Sequence, residues 1–283
     1  MSKLIDRGPS KKGWHHHQDF LICPRLWAFN HLGDKKESPL ALPLVRGILV
    51  HCGLAHHYKR VQLKAQGKDP GEYLTPVEAV RALAQREFAA TENVLWHDLE
   101  EVAATLVAEY GWHYGKDEGW EVLQVEDQIE ATIEDGDKSW LYTQRPDMVA
   151  RRSDGKVFIW DHKCVSSLSQ SGARRKLSGQ FLGYRMLGTL LYGKDFGGVL
   201  MNLVGASTTK VAFKREYMAS TPWSDLQFPR TIKYVNRMIE ELKKQNLPAA
   251  EWPAVYTEYA CFRYNKLCDH HATCTYGPGE SKC

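Results

Sequence analysis

The spacing of apolar and polar positions divides the chain into a helical first part and a strand-rich second part. Apolar residues recur at helical spacing in the early segments, and β-branched and aromatic residues then become frequent. Thr75 and Pro76 are typical of a helix cap and a first helical residue. The predicted helices are 18–32, 42–66 and 76–114, and the predicted strands are 121–133, 139–152 and 156–163.

The same pattern continues with a helix, two more strands and a long amphipathic helix that we expect to be interrupted at Pro229. These elements are 177–193, 197–205, 210–218 and 222–245. This order predicts an α/β (α+β) fold in a single domain covering 1–283. Its expected parts are a mainly helical segment (18–120), a catalytic sheet with its helix (121–215), a long helix (222–247) and a cysteine-rich tail (248–283).

Composition narrows the class of protein only slightly. The chain has 283 residues, of which 43% are hydrophobic and 25% charged, and a net charge of +3. Because this charge is small, nucleic-acid binding would need a local basic patch. No apolar run reaches the roughly 18 residues that span a bilayer, and the N-terminus lacks the apolar core of a signal peptide. We therefore expect a cytoplasmic protein that does not insert into membranes.

The stretch RPDMVARRSDGKVFIWDHK (145–163) brings charged residues into two adjacent strands. Ser153-Asp154-Gly155 fits a three-residue hairpin loop, which uses glycine in the left-handed conformation. That loop pairs Arg152 with Lys156, and the same register puts Asp147 opposite Asp161. A two-residue turn would instead put Asp147 on the other face of the sheet.

Opposed carboxylates are destabilising unless a cation neutralises them. A hard divalent ion such as Mg²⁺ or Mn²⁺ suits carboxylate oxygens. Lys163 shares the face of Asp161 and is suited to position a water or to stabilise charge on a phosphate. The alternative is an exposed hairpin that carries ordinary surface charges.

Several motifs in the right order resemble those of a known nuclease superfamily. Pro146-Asp147 followed by Asp161-His162-Lys163 resembles the PD-(D/E)XK signature. Gln180 and Tyr184, four residues apart on a predicted helix, resemble the Q-x-x-x-Y helix of its RecB-like branch. His51 is similar to the extra metal-binding histidine of that branch. The resemblance implies a restriction-endonuclease-like mixed sheet core flanked by helices.

The resemblance also implies roles for individual residues. Glu126 is a further candidate acid near the metal, although Asp127 and Glu130 are equally acidic neighbours. Taken singly, each of these residues has an ordinary structural explanation. The implied catalytic residues are Asp147, Asp161, Lys163, Gln180 and Tyr184, and the implied Mg²⁺ or Mn²⁺ ligands are His51, Asp147, Asp161, the backbone carbonyl of His162 and Glu126.

The seven cysteines suggest a second metal site. Cys23, followed by proline, and the tail residues Cys261, Cys268 and Cys274 resemble the iron–sulfur RecB-like nucleases. These include AddB-like nuclease domains, exonuclease V and CRISPR-associated adaptation nucleases. The resemblance implies that the four thiolates hold a structural [4Fe–4S] cluster that joins residue 23 to the tail.

Zinc is the alternative metal for these thiolates. In such a site His270 or His271 could replace a cysteine, and Cys283 could replace Cys23 as the fourth ligand. The gap of six residues between Cys261 and Cys268 is wider than the two residues of the tightest family pattern. The remaining cysteines, at 52 and 164, are predicted to be small, partly buried residues.

Arg174, Arg175 and Lys176 precede the Gln180 helix and are predicted to contact DNA phosphates. A solvated loop is the alternative for this cluster. Among the aromatic residues, Trp27, Tyr142 and Tyr184 are candidates to stack on unpaired bases, although most of the aromatic residues are expected to pack in the core.

These features predict a metal-dependent DNA nuclease. We expect an exonuclease that acts on single-stranded or end-containing DNA in recombination, repair or CRISPR adaptation, together with partner proteins of those processes. The alternative function is a non-cleaving DNA-binding or scaffolding subunit with the same fold and a structural metal cluster.

Overall fold

The computed structural model describes residues 2–5, 8, 10–33, 40–87, 96–168, 178–207, 210–263 and 266–277. They form two compact units. The first contains Met1–Ser10, Leu40–Ala131 and Thr143–Asp225, and the second contains Lys11–Pro39, Thr132–Tyr142 and Leu226–Cys283. The single domain over 1–283 stays a prediction. None of the described helices combines the length and apolar composition needed to cross a membrane.

The first unit has a mixed α/β fold built on a five-stranded sheet, as the sequence predicts. The strands of this sheet are β1 (Trp120–Val125), β4 (Met148–Arg152), β5 (Val157–Val165), β6 (Phe196–Gly205) and β7 (Phe213–Met218). The strand order is β1-β4-β5-β6-β7, in which β5 and β6 are parallel and the other neighbours are antiparallel.

Helices cover both faces of this sheet. Phe158 and Trp160 of β5 share a core cluster with the helices on one face, and Asp161, which points the other way, contacts the helix on the opposite face. A capping box between Thr75 and Glu78 starts one helix at the predicted position. The helices are α3 (Leu42–Ala65), α4 (Pro76–Glu87), α5 (Trp96–Tyr114) and α6 (Gly179–Tyr192).

Two predicted strands are each divided in the structure. The segment 121–133 ends its first strand at Val125 because Glu126 adopts a left-handed conformation (φ 56°), and β2 (Ile129–Asp135) follows. The segment 139–152 is divided between β3 (Lys138–Gln144) and β4. Pro146 lies in that break, where its missing N–H is tolerated. Both breaks occur beside Asp147.

The predicted hairpin register is confirmed. Met148 pairs with Trp160 and Arg151 with Val157. The Arg152 amide donates to the carbonyl of Lys156 at 2.8 Å, which closes a three-residue loop. Gly155 has a φ of +86°, the left-handed conformation that this loop requires.

The second unit contains the first two helices, most of the β2–β3 hairpin, the long helix from Leu226 onward and the tail. The predicted helix 18–32 is two helices, because Cys23 before Pro24 is extended (φ −165°). The long helix continues through Pro229, so the predicted interruption is wrong. The elements are α1 (Trp14–Ile22), α2 (Pro24–His31), α7 (Pro222–Lys244), α8 (Glu258–Cys261), β8 (Phe262–Arg263), β9 (Lys266–Leu267) and α9 (His271–Tyr276).

Aromatic rings form much of the core of the second unit. Trp27 stacks on Trp252 with ring centroids 5.2 Å apart, and Tyr142 packs against His17 and Phe228. Trp27 and Tyr142 are buried at 1% and 0% exposure. The prediction that these two rings stack on DNA bases is therefore wrong, since the core already covers them.

A group of histidines in the second unit should make its stability depend on pH. Burial lowers the pKa of His16 to about 3 and that of His17 to about 4. The unfolded chain therefore binds more protons than the folded one below about pH 6.5. As the pH is lowered from neutral to 5.5, the free energy of unfolding should decrease by up to about 1.4 kcal/mol for each histidine.

Urea unfolding at pH 7.5, 6.5 and 5.5 measures this loss. His16→Gln should flatten the dependence, whereas the same change at the exposed His113, His113→Gln, should leave it unchanged. A free energy of unfolding that is constant over this range would contradict the prediction.

Candidate active site

The first carboxylate of the site, Asp147, lies immediately before β4 and is buried. Its Oδ2 accepts a hydrogen bond from the backbone amide of His162, and its Oδ1 lies 3.1 Å from Nδ1 of His51. Burial disfavours the charged carboxylate, but His51 reverses this effect, and the pKa of Asp147 falls below its usual range. Asp147 is therefore an ionised acceptor held by two elements.

His51 reaches Asp147 from helix α3. Gly53 lets this helix approach α5 closely, since a Cβ at this position would lie 2.6 Å from a methyl group of Val107. Burial lowers the pKa of His51 and the Asp147 carboxylate raises it, with a net upward shift. In this arrangement a proton on His51 neutralises the carboxylate.

The second carboxylate, Asp161, lies in the middle of β5 and is 1% exposed. Its Oδ1 accepts hydrogen bonds from Gln180 Nε2 at 2.9 Å and from Tyr184 Oη at 3.4 Å. Gln180 also donates to Tyr184 at 3.1 Å, so the two residues of the predicted Q-x-x-x-Y helix hold one carboxylate oxygen together. Burial first, and Asp147 in addition, raise the pKa of Asp161, while Lys163 opposes the shift.

Lys163 lies on the same face of β5 as Asp161, as the sequence predicts. Its Nζ is 2.6 Å from Asp161 Oδ2, and its side chain is 19% exposed. This oxygen receives no hydrogen bond from the residues that the structure describes, so the ion pair is its charge compensation. The site therefore has an ammonium group beside a carboxylate at the rim of a buried cluster.

The imidazole of His162 points to the face opposite Asp161. It stacks on Tyr58 with ring centroids 5.5 Å apart, and its Nδ1 accepts a hydrogen bond from the Asn202 amide at 2.8 Å. Burial lowers its pKa to about 3, so the ring is neutral. The ring thus anchors β5, and its backbone amide holds Asp147. Sequence reasoning missed Tyr58 and Asn202.

Glu126 lies at the edge of the same site. Its backbone amide donates to the carbonyl of Asp147 at 3.1 Å. It is half-buried, whereas Asp127 and Glu130 are exposed. The Glu126 carboxylate also contributes to the raised pKa of Tyr184, whose largest cause is burial. Of the three neighbouring acids, Glu126 is therefore the one beside the buried carboxylates.

One predicted cluster is not described by the structure, and one residue of the site was not predicted. Arg174, Arg175 and Lys176 lie outside the described residues, so their contact with DNA stays a prediction. Arg145, which sequence reasoning missed, supplies the carbonyl that accepts from Tyr184 Oη at 3.2 Å. Its position directly before Pro146-Asp147 was the available signal.

The four cysteines of the predicted cluster line one cavity of about 70 Å³ in the second unit. The chain returns to Cys23 through Val255, whose amide donates to the Cys23 sulfur at 3.4 Å. The Cys268 amide donates to the carbonyl of Cys261 at 2.8 Å, and Arg25 Nη1 lies 3.7 Å from the sulfur of Cys274. The structure therefore brings Cys23 to the tail.

The thiols of this cavity are close enough to influence one another. Burial first, and then Cys274 and Cys23, raise the pKa of Cys268. His270 and His271 also line the cavity, and His270 stacks on Phe29 at 4.2 Å. Cys283 lies outside the described residues.

No group of three or more histidine, cysteine or acidic side chains within the described ranges is arranged to hold a metal ion. The iron–sulfur cluster, its zinc alternative and the Mg²⁺ or Mn²⁺ site therefore all stay predictions. At the carboxylates, His51 and Lys163 provide the compensating positive charge. Cys52 is fully buried and Cys164 partly so, which agrees with their predicted packing role.

Comparison with known proteins gives a family match and a similar fold. The family model described as the PD-(D/E)XK nuclease superfamily matches residues 15–275. A solved structure named "Putative exonuclease" from Eubacterium rectale has a TM-score of 0.50 and 14% identity, covering 94% of this chain and 93% of that one. The structure of SSO0001 has a TM-score of 0.31 and 15% identity, covering 78% and 85%, respectively. No curated protein matches the chain.

Proposed function

Because the chain belongs to the PD-(D/E)XK nuclease superfamily, we propose that it is a Mg²⁺- or Mn²⁺-dependent deoxyribonuclease. The observation that supports this proposal is the convergence of Asp147, Asp161 and Lys163 on one buried site with His51. We further propose that it acts as an exonuclease on single-stranded or end-containing DNA. The similarity in fold to a protein named as an exonuclease supports this choice.

The donor set of the site fits a hard divalent ion. His51, Asp147, Asp161 and the carbonyl of His162 would hold the ion, with Glu126 at the edge. Among the described residues, one Asp161 oxygen is paired with the Lys163 ammonium group alone and one Asp147 oxygen faces the imidazole of His51 alone, so an ion could take the place of either cation. A bound ion would lower the pKa of a coordinated water and stabilise negative charge on the phosphate.

The surrounding side chains have separate tasks in this proposal. Lys163 lies at the rim, where its ammonium group would orient the attacking water and face the phosphate. Gln180 and Tyr184 fix one Asp161 oxygen, which keeps the other oxygen directed to the site. His51 must lose its proton to become a ligand, so metal binding should weaken as pH falls.

A cleavage assay tests the proposal. Purified protein should shorten single-stranded DNA labelled at one end when Mg²⁺ or Mn²⁺ is present, and EDTA should stop the reaction. Mononucleotide products would indicate exonuclease action, and comparison of 5′- and 3′-labelled strands would give the polarity. If the protein binds DNA but leaves it intact with every divalent ion tried, the alternative function as a non-cleaving DNA-binding subunit would be favoured.

We also propose that Cys23, Cys261, Cys268 and Cys274 hold a [4Fe–4S] cluster. Four thiols around one cavity, one of them 238 residues before the next in sequence, fit a clamp that joins the ends of the chain. Its role would be structural, and zinc is the alternative occupant. The place of this nuclease in recombination, repair or CRISPR adaptation, and its partner proteins, are also part of the proposal.

Protein purified anaerobically should contain iron and sulfide near four atoms of each per chain. Cys23→Ser should lose the iron as fully as Cys268→Ser, because a cluster that lacks one thiolate is labile. Cys52→Ser, at a buried cysteine that does not line this cavity, should keep it. Metal and sulfide analysis checks the result, and stoichiometric zinc without iron would overturn the choice of cluster.

A further inference from the structure

A polar cleft of about 320 Å³ opens in the first unit beside the corner that holds Asp147. Glu126, whose amide binds the Asp147 carbonyl, is part of its lining. The cleft is also lined by three cations, Lys3, Lys59 and Arg145, and by the ring of Tyr73.

The wall that carries Lys3 is fixed by hydrogen bonds. The Lys3 amide donates to the carbonyl of Glu72 at 2.8 Å, and the Ile5 amide donates to Nε2 of His56 at 3.1 Å. Because this nitrogen accepts, Nδ1 of the same imidazole carries the proton and donates to Leu74 at 3.0 Å. The N-terminal segment therefore forms a wall of the cleft that hydrogen bonds hold in place.

Lys59 lies on the same stripe of helix α3 as His51. The two residues are eight positions apart, which is about 12 Å along a helix. The Lys59 ammonium contacts the amide oxygen of Gln62 at 3.0 Å and lies 5.8 Å from the centre of the Tyr73 ring. These partners are neutral, so they leave its positive charge uncompensated.

Arg145 connects the cleft to the active site. Its carbonyl binds Tyr184, while its half-buried side chain lines the cleft. Its Nε atom is buried and has no hydrogen-bond partner among the residues that the structure describes. A buried donor without a partner costs about 1–3 kcal/mol, so a side-chain movement that lets the guanidinium group bind an anion would relieve this cost.

The cleft is also lined by two acids, Glu126 and Asp127. Glu126 binds the Asp147 carbonyl through its amide, and Arg145 directly precedes Pro146-Asp147, so both residues connect the cleft to the proposed metal site. Lys3 and Lys59 add two further cations to the lining. This arrangement favours a phosphodiester that extends from the metal site into the cleft.

We infer that this cleft binds the phosphodiester of one unpaired nucleotide next to the scissile bond, so that the substrate is single-stranded DNA. This inference rests on the proposed function, because the cleft is assigned to DNA on the basis of the proposed active site beside it. A volume of about 320 Å³ is near the lower end of small-ligand pockets. A cleft of this size suits one nucleotide better than a base pair.

Fluorescence anisotropy with a labelled oligothymidine strand in EDTA tests the inference without any cleavage. Lys59→Gln and Arg145→Gln should each weaken binding about 5- to 10-fold and reduce the slope of log K against log salt by about 0.7. Lys59→Arg should retain the affinity, because it keeps the charge. Lys116→Gln, which removes an exposed lysine paired with Glu118, should bind like the unmodified protein.

Two results would overturn the inference. The first is unchanged affinity and salt slope in both Gln variants, and the second is equal or tighter binding of a blunt duplex. Cleavage of the same strand with Mn²⁺ is measured separately. Loss of affinity in the Gln variants without any cleavage would support the subsite and contradict the proposed nuclease function. Cleavage with unchanged affinity in the Gln variants would contradict the subsite alone.

Discussion

Asp161→Asn should reduce cleavage of single-stranded DNA about a thousandfold or more. The substitution keeps the shape of the side chain but removes the charge that pairs with Lys163 and would hold the metal. If the amide oxygen keeps the hydrogen bonds from Gln180 and Tyr184, the amide nitrogen replaces the oxygen that now pairs with Lys163, and an NH2 group cannot hold the metal. The rate of product formation with Mn²⁺, measured at saturating DNA, checks this expectation.

The matched control is Asp195→Asn, which makes the same chemical change at an exposed turn. It should cleave at the unmodified rate. DNA affinity in EDTA should not fall in Asp161→Asn, since phosphate binding depends on cations elsewhere. If Asp161→Asn cleaves within tenfold of the unmodified protein, the active site lies elsewhere in the chain.

The carboxylate pair illustrates what local sequence can predict. The length of the Ser153–Gly155 loop fixes the register, and the register fixes which residues face each other. Period-two alternation then assigns Lys163 to the face of Asp161. Each step depends on residues that are close in sequence, so each follows from the local pattern alone.

The breaks in the sheet were not predictable from the same patterns. Glu126 ends β1 in a left-handed conformation, although nothing in its residue type requires this. The amide of Glu126 binds Asp147, a residue 21 positions away, and this contact stabilises the turn. The cleft depends on a contact between residues still further apart in sequence. The hydrogen bond from the Ile5 amide to His56 holds the N-terminal segment, and this segment brings Lys3 to the same cleft as Arg145.

The cysteines lie between these two cases. The resemblance to iron–sulfur nucleases implied that Cys23 joins the tail, and the structure brings it to a cavity with Cys261, Cys268 and Cys274. The helix break at Cys23 follows from the next residue, Pro24. The identity of the bound metal does not follow from the spacing, since thiolates suit both iron–sulfur clusters and zinc.

A buried ion pair behind the active site was also missed, because its partners are 98 positions apart. Arg215 donates to both carboxylate oxygens of Asp117 at 2.6 Å, and Asp117 Oδ2 also accepts from Tyr58 at 2.7 Å. The guanidinium group lies 3.6 Å from the centre of the Tyr114 ring. Since Tyr58 also stacks on His162, this network supports the strand that carries Asp161.

Asp117→Ala should destabilise the protein by about 3–5 kcal/mol, because it leaves a buried guanidinium group without its carboxylate. Replacing both charges, in Asp117→Ala with Arg215→Met, should recover part of this loss. Glu121→Gln, at an exposed pair with Arg151, should cost no more than about 1 kcal/mol. Urea unfolding at pH 7.5 measures the free energy of unfolding of all three variants. A loss below about 1 kcal/mol in Asp117→Ala would contradict the prediction, because it would mean that the guanidinium group is compensated without the carboxylate.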